Sequence, residues 1–142
     1  MIYFDTTYIG RIYFQDGGWE NVRQLAATDE IACALHGRAE AAGIFHRKLR
    51  ENAITAQTLA SLIDQFKADC DKGSFQWLPL SAVIFDRVTS VYKMLPSTVH
   101  LRASDALHLA CAAENGFAKI YSNDRRLLDA ANYFGLHGMN VI

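Results

Sequence analysis

Four carboxylates stand out by where the chain places them. Asp5 follows directly on the apolar run Ile2-Tyr3-Phe4, and Asp124 comes soon after Ile120-Tyr121. Glu40 and Asp105 each fall in the first turn of an expected helix. Each helix-start acid has an ordinary explanation, because the macrodipole favours negative charge there by about 0.3–1 kcal/mol. Asp5 is harder to explain that way: a carboxylate directly after a buried strand costs desolvation unless it has a partner. Four such groups at one end of a sheet would repel one another, and at least one pKa would rise. A hard divalent cation relieves that repulsion, and Mg²⁺ and Mn²⁺ prefer oxygen ligands. Such a site could hold a phosphate, activate a water and stabilise a leaving oxygen, so phosphodiester hydrolysis is the natural reaction. Arg11, Arg38, Arg102 and Arg125 flank this acidic edge. They are candidate phosphate contacts, with ordinary surface charge or pairing with the acids as the alternative. The run Arg47-Lys48 with Arg50 reads as a solvated helix face.

The elements that must position these acids alternate between strand and helix. Strands are expected at 2–4, 31–35, 75–78, 120–121 and 139–142. A short helix is expected over residues 8–14 and another over 20–27. From about residue 37, Ala41, Ile44, Phe45 and Leu49 share one helical face. Thr55 is an expected N-cap, and Leu59, Leu62, Ile63, Phe66 and Cys70 form the cleanest amphipathic stripe. Ser81 is expected to cap a further helix that Pro96 ends. Residues 103–115 form another, with Gly116 just past its end, and 124–134 the last. Strands alternating with helices imply a parallel sheet covered on both faces. In such sheets ligands bind outside the carboxyl ends of the strands, where strand order reverses. That rule brings Asp5, Glu40, Asp105 and Asp124 to one edge.

The 142 residues suit a single domain spanning 1–142, with no linker, repeat or low-complexity stretch. Apolar residues make up 51% and charged residues 20%, which places the chain among globular rather than disordered proteins. Fourteen Lys and Arg balance fifteen Asp and Glu, which excludes a protein that holds nucleic acid by bulk charge. Cys33, Cys70 and Cys111 lack CxxC spacing and read as core thiols. No apolar run is long enough to span a bilayer and no leader pattern opens the chain, so a cytoplasmic protein without membrane attachment is expected. His36, His46, His100 and His137 show no metal-ligand spacing among themselves, and no role follows for them. Tyr8, Tyr13 and Phe14 are read as core or interface contacts ahead of base-stacking groups.

Ile-Tyr-Phe-Asp-Thr-Thr at 2–7, Arg-Ala-Glu-Ala at 38–41, Arg-Ala-Ser-Asp-Ala-Leu-His-Leu-Ala at 102–110 and Ser-Asn-Asp-Arg-Arg-Leu-Leu at 122–128 resemble the PIN-domain nucleases. The similarity is greatest to the toxin component of VapBC-type toxin–antitoxin pairs, and it covers essentially the whole chain. It implies a three-layer α/β/α fold with a central parallel sheet of four or five strands. It also implies a Mg²⁺- or Mn²⁺-dependent endoribonuclease, inhibited by a cognate antitoxin and commonly homodimeric. The interface would lie on the 55–72 or the 36–50 helix. By position, Asp5, Glu40, Asp105 and Asp124 become the catalytic, metal-binding acids. Thr6 matches a hydroxyl residue that orients the first Asp or a water, Ser122 stands where Thr is common, and Asn123 is a further polar neighbour. His108 is left as structural. Two other classes remain open: a non-catalytic PIN-like module that binds RNA or protein, and an aspartyl-phosphate phosphatase. The last lacks its second Asp, because Thr7 occupies that position.

Overall fold

Tyr3 and Phe4 are neighbours in sequence, yet they lie in two different hydrophobic cores. Successive side chains of a strand point to opposite faces, so a strand buried on both sides must divide its residues in this way. Ala32 and Ala34 join Tyr3 on one face, and Ile31 and Cys33 join Phe4 on the other. The computed structural model describes residues 1–142.

In chain order the elements are β1 (Ile2–Tyr3), α1 (Thr6–Tyr13), α2 (Trp19–Ala26), β2 (Ile31–Ala34), α3 (Gly37–Arg50), α4 (Ala56–Asp71) and β3 (Phe75–Leu78). There follow α5 (Ala82–Met94), α6 (Ala103–Glu114), β4 (Lys119–Tyr121), α7 (Arg125–Ala130), a 3₁₀ turn (Ala131–Phe134) and β5 (His137–Met139). Strands β1, β2 and β3 form one parallel sheet in that order, and β4 and β5 form a parallel pair. A parallel bridge between Phe4 and Tyr121 joins the two, with the Asp5 N–H donating to the Tyr121 carbonyl at 3.0 Å. The resulting order is β5-β4-β1-β2-β3. Helices α1 to α4 cover the Phe4 face and α5 to α7 the Tyr3 face, which gives three layers.

Order reverses between β1 and β4: β2 and β3 extend to one side of β1, β4 and β5 to the other. This is the topological switch point at which α/β sheets bind ligands. Asp5 closes β1, and Ser122 and Asp124 follow β4, so they flank it.

Two local expectations change. Ser81 holds the N-cap position of α5, but its side chain makes no capping bond. Thr55 does cap α4, accepting from the Thr58 N–H at 3.1 Å. The last strand is His137–Met139 rather than 139–142. It is an exposed edge strand, so its residues carry no apolar run that marks them. Val141 and Ile142 leave the sheet instead. The Val141 N–H donates to the Tyr8 hydroxyl at 2.8 Å, and Ile142 lies over Gly18. No helix is long and apolar enough to cross a membrane.

Candidate active site

Asp5 is both the end of β1 and the N-cap of α1. Its Oδ1 accepts from the Thr7 N–H at 3.0 Å, the Tyr8 N–H at 3.2 Å and the Thr7 hydroxyl at 2.6 Å. Its Oδ2 accepts from the Ser122 hydroxyl at 2.5 Å. Burial pushes this carboxyl up from its ordinary range, and the bonds from Ser122, Thr7 and Tyr8 pull it partly back. Ser122 is fully buried and works in two directions, since its Oγ also accepts from the Asp124 N–H at 2.8 Å. One hydroxyl thus ties the end of β1 to the start of α7. Asp124 caps α7 by accepting from the Arg126 N–H at 2.8 Å.

Glu40 sits in the first turn of α3. Its Oε2 accepts from the Thr6 hydroxyl at 3.0 Å and from His108 Nε2 at 2.7 Å. Burial alone would raise its pKa. The hydrogen bond from His108, the charge that His108 and nearby His36 carry when protonated, and the Thr6 hydroxyl outweigh that and bring it down to about 2. Glu40 is therefore a fixed anion at neutral pH. Behind it, the Ala34 N–H donates to the Tyr3 hydroxyl at 3.0 Å, and that hydroxyl lies 3.0 Å from His108 Nδ1. Tyr3 donates to Nδ1 in this arrangement, which leaves the proton on Nε2 facing Glu40. The reverse tautomer would set a bare nitrogen against a carboxylate.

Asp105 is the exception among the four. Its Oδ2 is buried and has no hydrogen-bond partner. Burial, then the negative charge of Asp124 and of Glu40, raise its pKa to about 6, with His108 and Arg102 opposing. All four acids line one cleft of about 350 Å³, and Ile44 is its only apolar wall residue.

The hydroxyl and arginine expectations are met unevenly. Thr6 lines the cleft but bonds Glu40, not Asp5; the α1 hydroxyl that holds Asp5 is Thr7, noted in the sequence only for standing where a phosphatase has its second Asp. Its signal was present, because an N-cap Asp bonds the second and third residues of its helix. Arg11 and Arg102 line the cleft; Arg38 and Arg125 do not. Arg38 stands two residues before Glu40, and residues two apart on a helix do not share a face. Arg125 points into solvent beside Asp129. Arg47, read as part of a solvated run, does line the cleft. It lies seven residues beyond Glu40, two turns along the same face, with Ile44 between them. Arg11 is held by the Thr7 and Gly17 carbonyls at 2.9 Å each and by Asn123 Oδ1 at 3.3 Å, none of them a carboxylate. Its charge is thus left for the cleft.

The sequence matches the model of the PIN domain over residues 2–133. Among curated proteins none matches. Solved structures share the fold at low identity. The FitAcB structure from Neisseria gonorrhoeae has a TM-score of 0.78 at 13% identity, covering 99% of this chain and 97% of that one. VapC20 of Mycobacterium tuberculosis, described as a sarcin–ricin loop cleaving toxin, has a TM-score of 0.72 at 14% identity, covering 96% and 99%. A FitAB complex bound to a DNA fragment has a TM-score of 0.72 at 12% identity, covering 99% and 94%. With the family match running from β1 into the 3₁₀ turn, the chain belongs to the PIN domain family.

Proposed function

We propose that this protein is a Mg²⁺- or Mn²⁺-dependent endoribonuclease, the toxin of a toxin–antitoxin pair. The observation that carries the reading is Asp105 Oδ2: a buried carboxylate oxygen, unpartnered, in a cleft that also holds Asp5, Glu40 and Asp124. An uncompensated buried anion is costly, and a cation is its simplest complement. The donor set is all oxygen, which fits Mg²⁺ or Mn²⁺. Asp5, Asp105 and Asp124 would hold the ion, with Glu40 holding water or a second ion. Bound there, the metal would supply Lewis-acid charge for the phosphate oxygens and make water more acidic.

The chain's own groups do the rest. Ser122 and Thr7 fix the rotamer of Asp5, and Thr6 and His108 fix that of Glu40. Arg11, Arg47 and Arg102 present positive charge at the cleft, where a backbone phosphate needs it. Near-neutral total charge means that this attraction is local. Water attacking phosphorus in line would expel the 3′ oxygen and leave a 5′-phosphate. The fold likeness to a protein described as a sarcin–ricin loop cleaving toxin supports RNA as the substrate and, with it, a toxin's role that an antitoxin would restrain. A self-associated form would use α5, which exposes Val83, Phe85, Tyr92 and Met94, whereas α3 and α4 expose no large apolar side chain.

Cleavage of total cellular RNA, in Mg²⁺ or Mn²⁺ and in chelator, tests the reading. Discrete fragments that need both the metal and Asp105 are expected. Cleavage that survives Asp105→Asn and Asp5→Asn refutes the assignment, and absence of both cleavage and Mn²⁺ binding favours a non-catalytic binding module. Coexpression with the product of a small neighbouring gene should suppress toxicity; unchanged toxicity refutes the pairing.

A further inference from the structure

His36, Glu40 and His108 bring three ligand atoms within 4.8 Å of one another. His36 and Glu40 are four residues apart across the start of α3, and His108 reaches them from α6. His108 Nε2 lies 2.7 Å and His36 Nε2 4.0 Å from Glu40 Oε2, and the two imidazole rings are 4.2 Å apart. We propose that these three residues form a second metal site, for a borderline transition-metal ion such as Zn²⁺, and that filling it withdraws Glu40 from the acidic cleft and inhibits the Mg²⁺-dependent reaction.

The donor chemistry separates this site from the cleft. Two imidazoles and one carboxylate suit Zn²⁺, Co²⁺ or Ni²⁺, whereas Mg²⁺ seeks oxygen. Tetrahedral bonding at 2.0–2.1 Å needs ligand atoms about 3.3 Å apart. The His108–Glu40 separation must open and the His36–Glu40 separation close, each by well under about 1 Å on that basis.

For His108 the surroundings supply what a ligating histidine requires. Such a residue donates its other ring N–H to a fixed acceptor. When the ion replaces the proton on His108 Nε2, that proton can be carried at Nδ1, which faces the Tyr3 hydroxyl. Tyr3 would then accept from Nδ1 and turn its own hydrogen towards the neighbouring Cys111 sulfur. The exchange of tautomers strands no buried polar atom at His108. His36 provides a second, independent observation. Its Nδ1 is buried without a partner, and its only hydrogen bond runs from Nε2 to the Ser104 carbonyl at 3.2 Å. The protein holds that ring weakly, and a ligand could reorient it. Glu40 completes the argument, because both of its donors meet Oε2 and the residue also lines the cleft. One side chain therefore borders both sites.

The binding half stands on this geometry alone; the inhibitory half rests on the nuclease reading. The test titrates the full chain with Co²⁺ in excess Mg²⁺, following visible absorption, and repeats the titration with Zn²⁺ in competition. One ion per chain with a nitrogen-ligated spectrum is expected. The signal should persist in Asp105→Asn, which leaves all three ligands in place. It should weaken by roughly tenfold or more in His36→Asn, since loss of even an outer partner of a metal ligand costs that much. His36→Asn should still cleave RNA in Mg²⁺ but resist Zn²⁺. Absence of Co²⁺ binding overturns the site, as does binding unchanged in His36→Asn. Binding lost in Asp105→Asn but kept in His36→Asn does the same, because the ion would then sit in the acidic cleft. Full cleavage by the Zn²⁺-loaded chain overturns the inhibition while the spectrum still reports the site. If no condition gives cleavage, the spectrum alone decides the site.

Discussion

Replacing Asp105 by Asn should stabilise the metal-free protein while abolishing its activity. The Asp105 carboxyl moves from an ordinary 3.8 to about 6 on folding, through burial first and then the charge of Asp124. Below pH 3.8 the group is protonated in both states and contributes nothing. As pH rises from there to about 6, the unfolded chain gives up the proton more readily than the folded one, so stability falls. Above about 6 the full penalty is present. At 1.36 kcal/mol per pH unit, that displacement corresponds to about 3 kcal/mol. The carboxyl is only partly buried and solvent screens part of its repulsion, so about 1–2 kcal/mol is the effect to expect. In a domain of this size that is a rise of about 2–8 °C in Tm. Urea or thermal melts of both proteins in chelator, from pH 5 to pH 8, measure it. The variant should lead at pH 7.5, and the lead should shrink towards pH 5. Saturating Mg²⁺ or Mn²⁺ should raise the parent more than the variant. A variant less stable than the parent at pH 7.5, or a gap that does not change with pH, would refute the reasoning.

Three further outcomes follow from the same contacts. Ser122→Ala leaves Asp5 Oδ2 and the Asp124 N–H without their shared partner. It should cost about 1.5–3 kcal/mol by denaturant titration and lower kcat, whereas Ser122→Thr keeps the hydroxyl. Arg11→Ala and Arg102→Ala should weaken RNA binding and flatten its salt dependence, while Arg38→Ala and Arg125→Ala, outside the cleft, should do neither; filter binding across salt concentrations separates the pairs. Gly37→Ala sets a Cβ about 2.6 Å from the buried Cys33 sulfur and 3.2 Å from Thr6, so a loss of about 1–3 kcal/mol is expected, and an unchanged Tm would contradict the packing.

What the sequence made legible is what depends on one element at a time. The continuous apolar run Ile2-Tyr3-Phe4 as a strand buried on both faces, the stripe of Leu59, Leu62 and Phe66, and Gly116 at φ +77° after α6 each follow from local pattern. From alternation alone came the parallel sheet, and from the switch-point rule came the edge where the four acids meet. Illegible were the partnerships between elements. Thr6 and Thr7 are adjacent, yet one turns to Glu40 and the other to Asp5, a choice made by the approach of α3 to α1. The family resemblance leaves His108 as structural. It is buried, but its Nε2 meets Glu40, a residue 68 positions away. His36 carried no metal spacing relative to the other histidines because its partners are a carboxylate on its own helix and a ring from α6. Arg47 was within reach of reasoning, since 40, 44 and 47 repeat at helical spacing; its basic neighbours hid it.

The four carboxylates are not equivalent, and the difference decides what a cation meets. Folding satisfies Asp5 and Glu40: four donor bonds converge on the first and two on the second. Asp124 has the α7 N-terminus. Only Asp105 has a buried oxygen with nothing opposite it. The chain therefore fixes three carboxylates with its own donors and leaves the fourth without one, so the cleft's unmet demand is concentrated at one position rather than spread over all. Along α3 the same division recurs at i, i+4, i+8 and i+11: His36 at the buried nitrogen pair, Glu40 at the boundary, Ile44 as the apolar wall and Arg47 at the cleft rim. Since Glu40 belongs to both sets of ligands, an ion that takes it at the His36–His108 site removes a carboxylate from beside Asp105. Relief of repulsion at Asp105 and loss of the cleft's metal affinity are then two consequences of a single displacement.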